Sequence, residues 1–258
     1  MRGLLPVMLL LGTGAARADC PPDARITDWV LGNSLCQAVT TFDATRPEGS
    51  PALIVVVHGD ISDGGAATYH VAFAKTLARP DTVVVALTRP GYTDDRGRPS
   101  QGRSYGRQDN YTRDTIAAVS GAIAALKSHY RPRRVIYVGH SGGAAIGGVL
   151  IGRPHLIDAA VLVSCPCDIT RWLRERQRPA WQRSESPLRY AARVPRRTRV
   201  TVIAGGLDAN TFPAQAEGYV ETLMRRGVDA RFVQVESAGH GLSDLGLATR
   251  RAVDELLR

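Results

Sequence analysis

Lysine is nearly absent. Lys75 and Lys127 are the only two among 33 basic residues, which stand against 24 acidic ones for a formal charge of +9. A basic balance ordinarily suggests a nucleic-acid partner, but here the charge is not spread. Residues 171–199 carry ten arginines against Glu175 and Glu185, a net +8, and outside that segment and the first eighteen residues the charges sum to −1. A neutral body with one basic patch is a poor polyanion binder, so no nucleic-acid partner is expected. Long hydrophobic runs are missing as well: the N-terminal one, Leu4 to Leu11, is well short of the roughly 20 residues that cross a bilayer, so no stable membrane span is expected. Cysteine is scarce, at positions 20, 36, 165 and 167, and neither these nor the six scattered histidines show metal-ligand spacing. No metal is expected. The even number of cysteines suits disulfides in an oxidising compartment. Cys20 and Cys36 are expected to pair, while Cys165 and Cys167 form either a strained bridge or two free thiols.

What is present begins with a targeting signal. Residues 1–18 run from Arg2 through the apolar stretch to Ala16-Arg17-Ala18, the order of a cleavable secretory signal peptide. Export to the periplasm or the medium is expected, with cleavage near Ala18. The remaining residues, 19–258, are 240 in number and read as one domain, without a repeat or a linker. Valine- and isoleucine-rich runs at Ala52–Val57, Thr82–Leu87, Arg134–Val138, Ala159–Ser164 and Arg199–Ala204 suit strands buried on both faces, with a sixth, more alternating run at Ala230–Val235. Helical spacing separates them at Tyr69–Leu77, Thr112–Tyr130, Gly142–Ile151, Pro213–Arg226 and Leu245–Leu257. Alternating strands and helices imply an α/β fold with a doubly wound, mostly parallel sheet. Two segments interrupt the alternation, a loop from Thr88 to Tyr111 and the arginine-rich stretch of about 169–197. Each follows the carboxyl end of a strand, where open α/β sheets bind ligands. The second is expected to form a small helical lid. Tyr92 and Tyr105 of the loop, with Trp172 and Trp181 of the lid, are the candidate substrate contacts.

Gly-x-Ser-x-Gly occurs twice. Gly139-His140-Ser141-Gly142-Gly143 lies between a strand and a helix, the setting of a nucleophile elbow, where a sharp turn exposes the serine. Gly102-Arg103-Ser104-Tyr105-Gly106 lies in the polar loop with no strand before it, so Ser104 reads as a decoy, or at most a loop residue near the site. A serine hydroxyl needs a base, and the base an orienting carboxylate. The order that accompanies such an elbow is nucleophile, acid, histidine. His155 follows a helix end and reads as a surface residue, whereas His240, in a Gly-His-Gly loop after the last strand, can swing over the sheet edge. Asp208 ends the strand before it and is the expected acid, with Asp168 as runner-up. Two backbone N–H groups must receive the developing oxyanion. They are expected from Gly142 and from Asp60 of His58-Gly59-Asp60, His58 itself being structural.

Together these residues resemble the α/β-hydrolase superfamily. The C-terminal third is similar to the catalytic domain of prolyl-oligopeptidase-type and dienelactone-hydrolase-like proteins: Ser186-Pro187-Leu188 with Tyr190-Ala191, then Asp208, Pro213, Gln215, Tyr219, Leu223, Gly227 and Gly239-His240. The resemblance implies acyl transfer to water through an acyl-enzyme, with no cofactor. The chain has no room for a β-propeller, and its first oxyanion loop lacks a tyrosine, which favours an ester over a peptide substrate. An exported peptidase acting on short peptides is the alternative enzyme. A non-catalytic binding protein on the same fold is the alternative of another class, disfavoured because Ser141, Asp208 and His240 are all present.

Overall fold

The computed structural model describes residues 19–42, 49–61, 64–104 and 108–258. The expected signal peptide, residues 1–18, and Tyr105 lie outside them. The described residues form a sheet of eight strands: β1 (Trp29–Gly32), β2 (Leu35–Phe42), β3 (Ala52–Val57), β4 (Thr82–Leu87), β5 (Arg134–His140), β6 (Ala159–Val163), β7 (Arg199–Gly205) and β8 (Asp229–Val235), in the order β1-β2-β4-β3-β5-β6-β7-β8. β1 and β2 are antiparallel to their neighbours, and the rest are parallel. This is the α/β-hydrolase fold.

Every residue of β3 and β4 is buried because helices cover both faces. Alternate side chains then enter different cores. Leu53, Val55 and Val57 belong to the core shared with α2 (Arg113–Tyr130), α3 (Gly142–Leu150) and α6 (Pro213–Arg225), whereas Ile54 and Val56 belong to the one shared with α1 (Tyr69–Lys75) and α7 (Leu242–Leu257). The six apolar runs all became strands. β1 and β2 were not anticipated, since β1 is four residues long and β2 carries polar residues that the tertiary structure buries. Gln37 is one of these; its side chain donates to the Ala118 carbonyl in α2 at 2.9 Å.

The arginine-rich stretch folds as α4 (Ile169–Glu175), α5 (Pro187–Tyr190) and a 3₁₀ turn, Ala191–Arg193. It is anchored rather than loose. Asp168 caps α4 by accepting from the Arg171 N–H at 3.2 Å, Trp172 and Leu173 enter the larger core, and the Trp172 indole donates to the Asn210 carbonyl at 2.9 Å. Both cysteine pairs are bridged, Cys20 with Cys36 and Cys165 with Cys167, so the free-thiol alternative is not the one adopted. Among the described residues no helix is long and apolar enough to cross a membrane.

Candidate active site

The turn between β5 and α3 is as tight as its sequence demands. Ser141 sits at φ 52°, ψ −116°, a left-handed conformation that a non-glycine residue adopts only when its surroundings impose it. Three close approaches impose it here. A Cβ on Gly139 would lie 2.6 Å from the Gly143 carbonyl oxygen, one on Gly143 would lie 2.3 Å from that of Val57, and one on Gly59 would lie 2.8 Å from Cβ of Ser141. The Ser141 N–H is held by the Val163 carbonyl of β6 at 2.8 Å. As the first helical residue of α3, Gly142 has no carbonyl within its own helix for its N–H.

His240 precedes α7, at the same sheet edge. Its Nε2 lies 3.0 Å from Ser141 Oγ, and its Nδ1 lies 2.8 Å from Asp208 Oδ2. Asp208 follows β7, with its carboxylate held by Thr211 through the N–H at 2.9 Å and the hydroxyl at 2.7 Å, and by the Asn210 N–H at 2.8 Å. Burial pushes its pKa up, but hydrogen bonding and charge from His240, with the Thr211 bonds, outweigh burial and hold the carboxyl at about 2. It is therefore an ionised acceptor at neutral pH, which leaves the proton of a neutral His240 on Nδ1 and the Nε2 lone pair facing the serine, with Asn210 Nδ2 also 3.2 Å from it. Asp168, the runner-up acid, only caps α4. His155 is exposed, and Ser104 lies in the loop, where its side chain hydrogen-bonds Tyr92 rather than a base.

Asp60 lies beside Ser141, but its carboxylate is as conspicuous as its backbone. Oδ1 accepts from Arg89 Nη1 at 2.8 Å and from the Tyr92 hydroxyl at 3.2 Å, and Oδ2 accepts from the Tyr111 hydroxyl at 2.8 Å. Arg89 is fully buried. Burial opposes its charge, yet the Asp60 carboxylate and the two phenols outweigh burial and raise its pKa. Both groups of the pair stand close to Gly142, where a Cβ would lie 2.9 Å from Asp60 Oδ1 and 2.7 Å from Arg89 Nη1. Tyr92, expected to touch substrate, is buried behind Asp60 and orients that carboxylate instead. His58 is structural, as expected: Nδ1 donates to the Gly59 carbonyl at 2.6 Å, Nε2 accepts from the Arg89 N–H at 2.9 Å, and burial keeps the ring neutral.

A second network joins the two loops. The Gly59 N–H donates to Tyr69 Oη at 2.5 Å, Tyr69 Oη lies 2.8 Å from His140 Nδ1, and His140 Nε2 lies 2.8 Å from the His240 carbonyl oxygen. An N–H can only donate and a carbonyl can only accept, so every proton between them is assigned: Tyr69 donates to Nδ1, and His140 carries its hydrogen on Nε2. Burial, and the nearby His240, lower the His140 pKa to about 4, which keeps that form at neutral pH.

A cavity of about 270 Å³ opens over the serine, walled by Asp60, Tyr111, Trp172, Asn210, Arg176 and Arg178. Trp181 stands one ring away, edge-on to Trp172 at 5.3 Å between centroids. No group of three or more His, Cys, Asp or Glu among the described residues could hold a metal ion.

A model of the prolyl oligopeptidase family matches residues 71–256. The chain belongs to that family. Its members' model begins within α1 and so covers the elbow, Asp208 and His240 but not Asp60. Solved structures share the fold at low identity. Est1E of Butyrivibrio proteoclasticus, solved with ferulic acid bound, is 13% identical over 89% of this chain and 98% of its own, with a TM-score of 0.67. An esterase of Pyrococcus furiosus is 15% identical over 89% and 90%, with a TM-score of 0.66. An acylaminoacyl peptidase of Pyrococcus horikoshii is 15% identical with a TM-score of 0.64, and this chain, over 89% of its length, spans 39% of that one. No curated protein sequence matches. Arg89 and Tyr111 of this prolyl oligopeptidase family domain, and Tyr69 just before it, escaped sequence reading because nothing in a loop or a short helix signals which side chain will turn inward. His140 was visible as the variable residue of the elbow motif, but its role needed the His240 loop beside it.

Proposed function

We propose that the protein is an exported serine hydrolase that cleaves a carboxylic ester, with Ser141 as nucleophile, His240 as base and Asp208 as the orienting acid. One observation carries this reading: Oγ of Ser141, Nε2 and Nδ1 of His240 and the Asp208 carboxylate follow one another at 3.0 and 2.8 Å. Ser141 Oγ attacks the ester carbonyl carbon while His240 Nε2 takes its proton. The tetrahedral oxyanion is received by the N–H groups of Gly142 and Asp60, and the Asp60–Arg89 pair keeps the neighbouring field close to neutral. As the carbon–oxygen bond breaks, His240 returns the proton to the departing alcohol, and water repeats the sequence on the acyl-enzyme. No cofactor takes part. Trp172 and Trp181 flank the acyl or alcohol group, under a lid formed by residues 169–197. Export rests on the first eighteen residues and agrees with two bridged cysteine pairs.

The test is fluorophosphonate labelling together with a panel of p-nitrophenyl esters and aminoacyl anilides. Labelling and ester turnover that both vanish in Ser141→Ala are expected. Faster cleavage of the anilides would make the protein a peptidase, as its family membership also allows. Labelling that survives in Ser141→Ala would overturn the assignment of the nucleophile.

A further inference from the structure

Beside the serine cavity lies a larger one, of about 500 Å³, that the reaction as described does not use. Its walls combine two chemistries. Ile169, Leu173 and Trp181 supply apolar surface, and Arg174, Arg178 and Arg189 supply charge, with no acidic side chain among the lining residues. Arg178 lines both cavities, and the Trp172–Trp181 pair stands between them, one indole in each wall. The two spaces therefore adjoin.

Three arginines in or near this stretch that line neither cavity have carboxylate partners: Arg171 with Glu175 at 2.6 Å, Arg113 with Glu185 at 2.6 Å and Arg183 with Asp109 at 3.6 Å. Among the described residues, Arg174 and Arg178 have no carboxylate within ion-pairing distance, nor does Arg176, whose Nη1 donates to the Ala209 carbonyl at 2.6 Å. Arg178 lies over the Trp172 ring, 5.1 Å from its centroid, so its guanidinium is braced at the junction. Clustered like charges repel, and a group of opposite charge relieves that repulsion. A guanidinium without a partner presents a planar fork that matches a carboxylate.

We propose that the second cavity is a subsite for the carboxylate end of the substrate, so that the ester cleaved at Ser141 is one whose apolar body runs past Trp172 and Trp181 to a terminal carboxylate met by Arg178 and Arg174. This rests on the ester-hydrolase reading of the same site and narrows it to a substrate class. A carboxylate there also offsets the charge of Arg174, Arg178 and Arg189, which line the cavity without an acidic residue.

Binding tests the subsite without requiring turnover. The Ser141→Ala protein is titrated calorimetrically with a series of monoalkyl hemiesters of linear dicarboxylic acids and with the matching dialkyl diesters, which differ only in the capped carboxylate. At one chain length or more the hemiester is expected to bind at least roughly tenfold more tightly, the worth of a charge-assisted hydrogen bond. Arg178→Gln is expected to remove most of that preference, and Arg174→Gln part of it. Arg225→Gln, on α6 and outside both cavities, removes the same charge and is expected to leave the preference intact. Equal affinity for hemiester and diester, no binding of either, or an equal loss in Arg225→Gln overturns the proposal. Failure of the ester-hydrolase reading appears elsewhere, as ester turnover that persists in Ser141→Ala or is absent from the wild-type protein.

Discussion

At the scale of single residues, the chain Gly59–Tyr69–His140–His240 ties the proposed oxyanion loop to the loop of the proposed base. Its hydroxyl is Tyr69's, which accepts from one loop and donates toward the other. Tyr69→Phe removes both bonds while keeping the ring edge-on to His140. Turnover is expected to fall roughly tenfold, the worth of one or two lost hydrogen bonds. KM should stay nearly constant, because the ring lies outside the cavity over Ser141. Steady-state kinetics on a neutral p-nitrophenyl ester measures the split. An unchanged kcat with a lowered Tm would make Tyr69 a packing residue only.

At the scale of elements, Asp168 and Asp208 show how two aspartates at strand ends acquire different work. Both follow a parallel strand, β6 and β7, and both precede a helix. Asp168 points along the chain and caps α4. Asp208 is held by Thr211 and Asn210 so that its Oδ2 faces His240. Asp168→Ala is expected to cost about 1 kcal/mol of stability, the usual worth of a cap, with ester turnover retained. Asp208→Asn is expected to lower turnover by orders of magnitude by losing the orientation of the imidazole and the stabilisation of its cation. Thermal denaturation and kinetics on the two variants separate the roles, and the reverse pattern would move the proposed acid to Asp168.

At the scale of the whole molecule, three histidines are buried in neutral form. His140 is lowered to about 4, His70 to about 3, and His58 well below its ordinary value, in each case chiefly by burial. Unfolding restores them to about 6.5, so between that value and the folded one the unfolded chain binds more protons. Their contribution is complete above pH 6.5 and is lost as pH falls through the window. Each adds a slope of up to about 1.4 kcal/mol per pH unit. His70 sits outside the cavity over Ser141, so His70→Leu is expected to flatten stability against pH between about 6 and 4 while leaving ester turnover near wild type. Denaturant titrations across that range measure the slope, and an unaltered slope would mean that His70 is not buried neutral.

The central strands and the helices between them were legible in the sequence because a parallel sheet covered on both faces requires unbroken apolar runs, and helices require their own period. The elbow was legible for a related reason. Backbone crowding at Gly139 and Gly143 excludes any side chain, so the turn leaves a mark that Gly102 and Gly106 reproduce in letters but not in setting. β1 and β2 were not legible, since β1 is short and covered by α2, and the polar residues of β2 are buried only between β1 and β4. Nor was the partnership of Asp60 with Arg89, Tyr92 and Tyr111, which brings together residues 29, 32 and 51 positions apart. By itself the sequence determined the α/β-hydrolase architecture and which serine stands at a strand-to-helix turn, because those are local demands of backbone sterics and hydrophobic period. Only the tertiary structure decided which buried charge faces which, and which arginines have no carboxylate partner among the described residues, because hydrogen bonds and ion pairs between distant loops have no period to betray them.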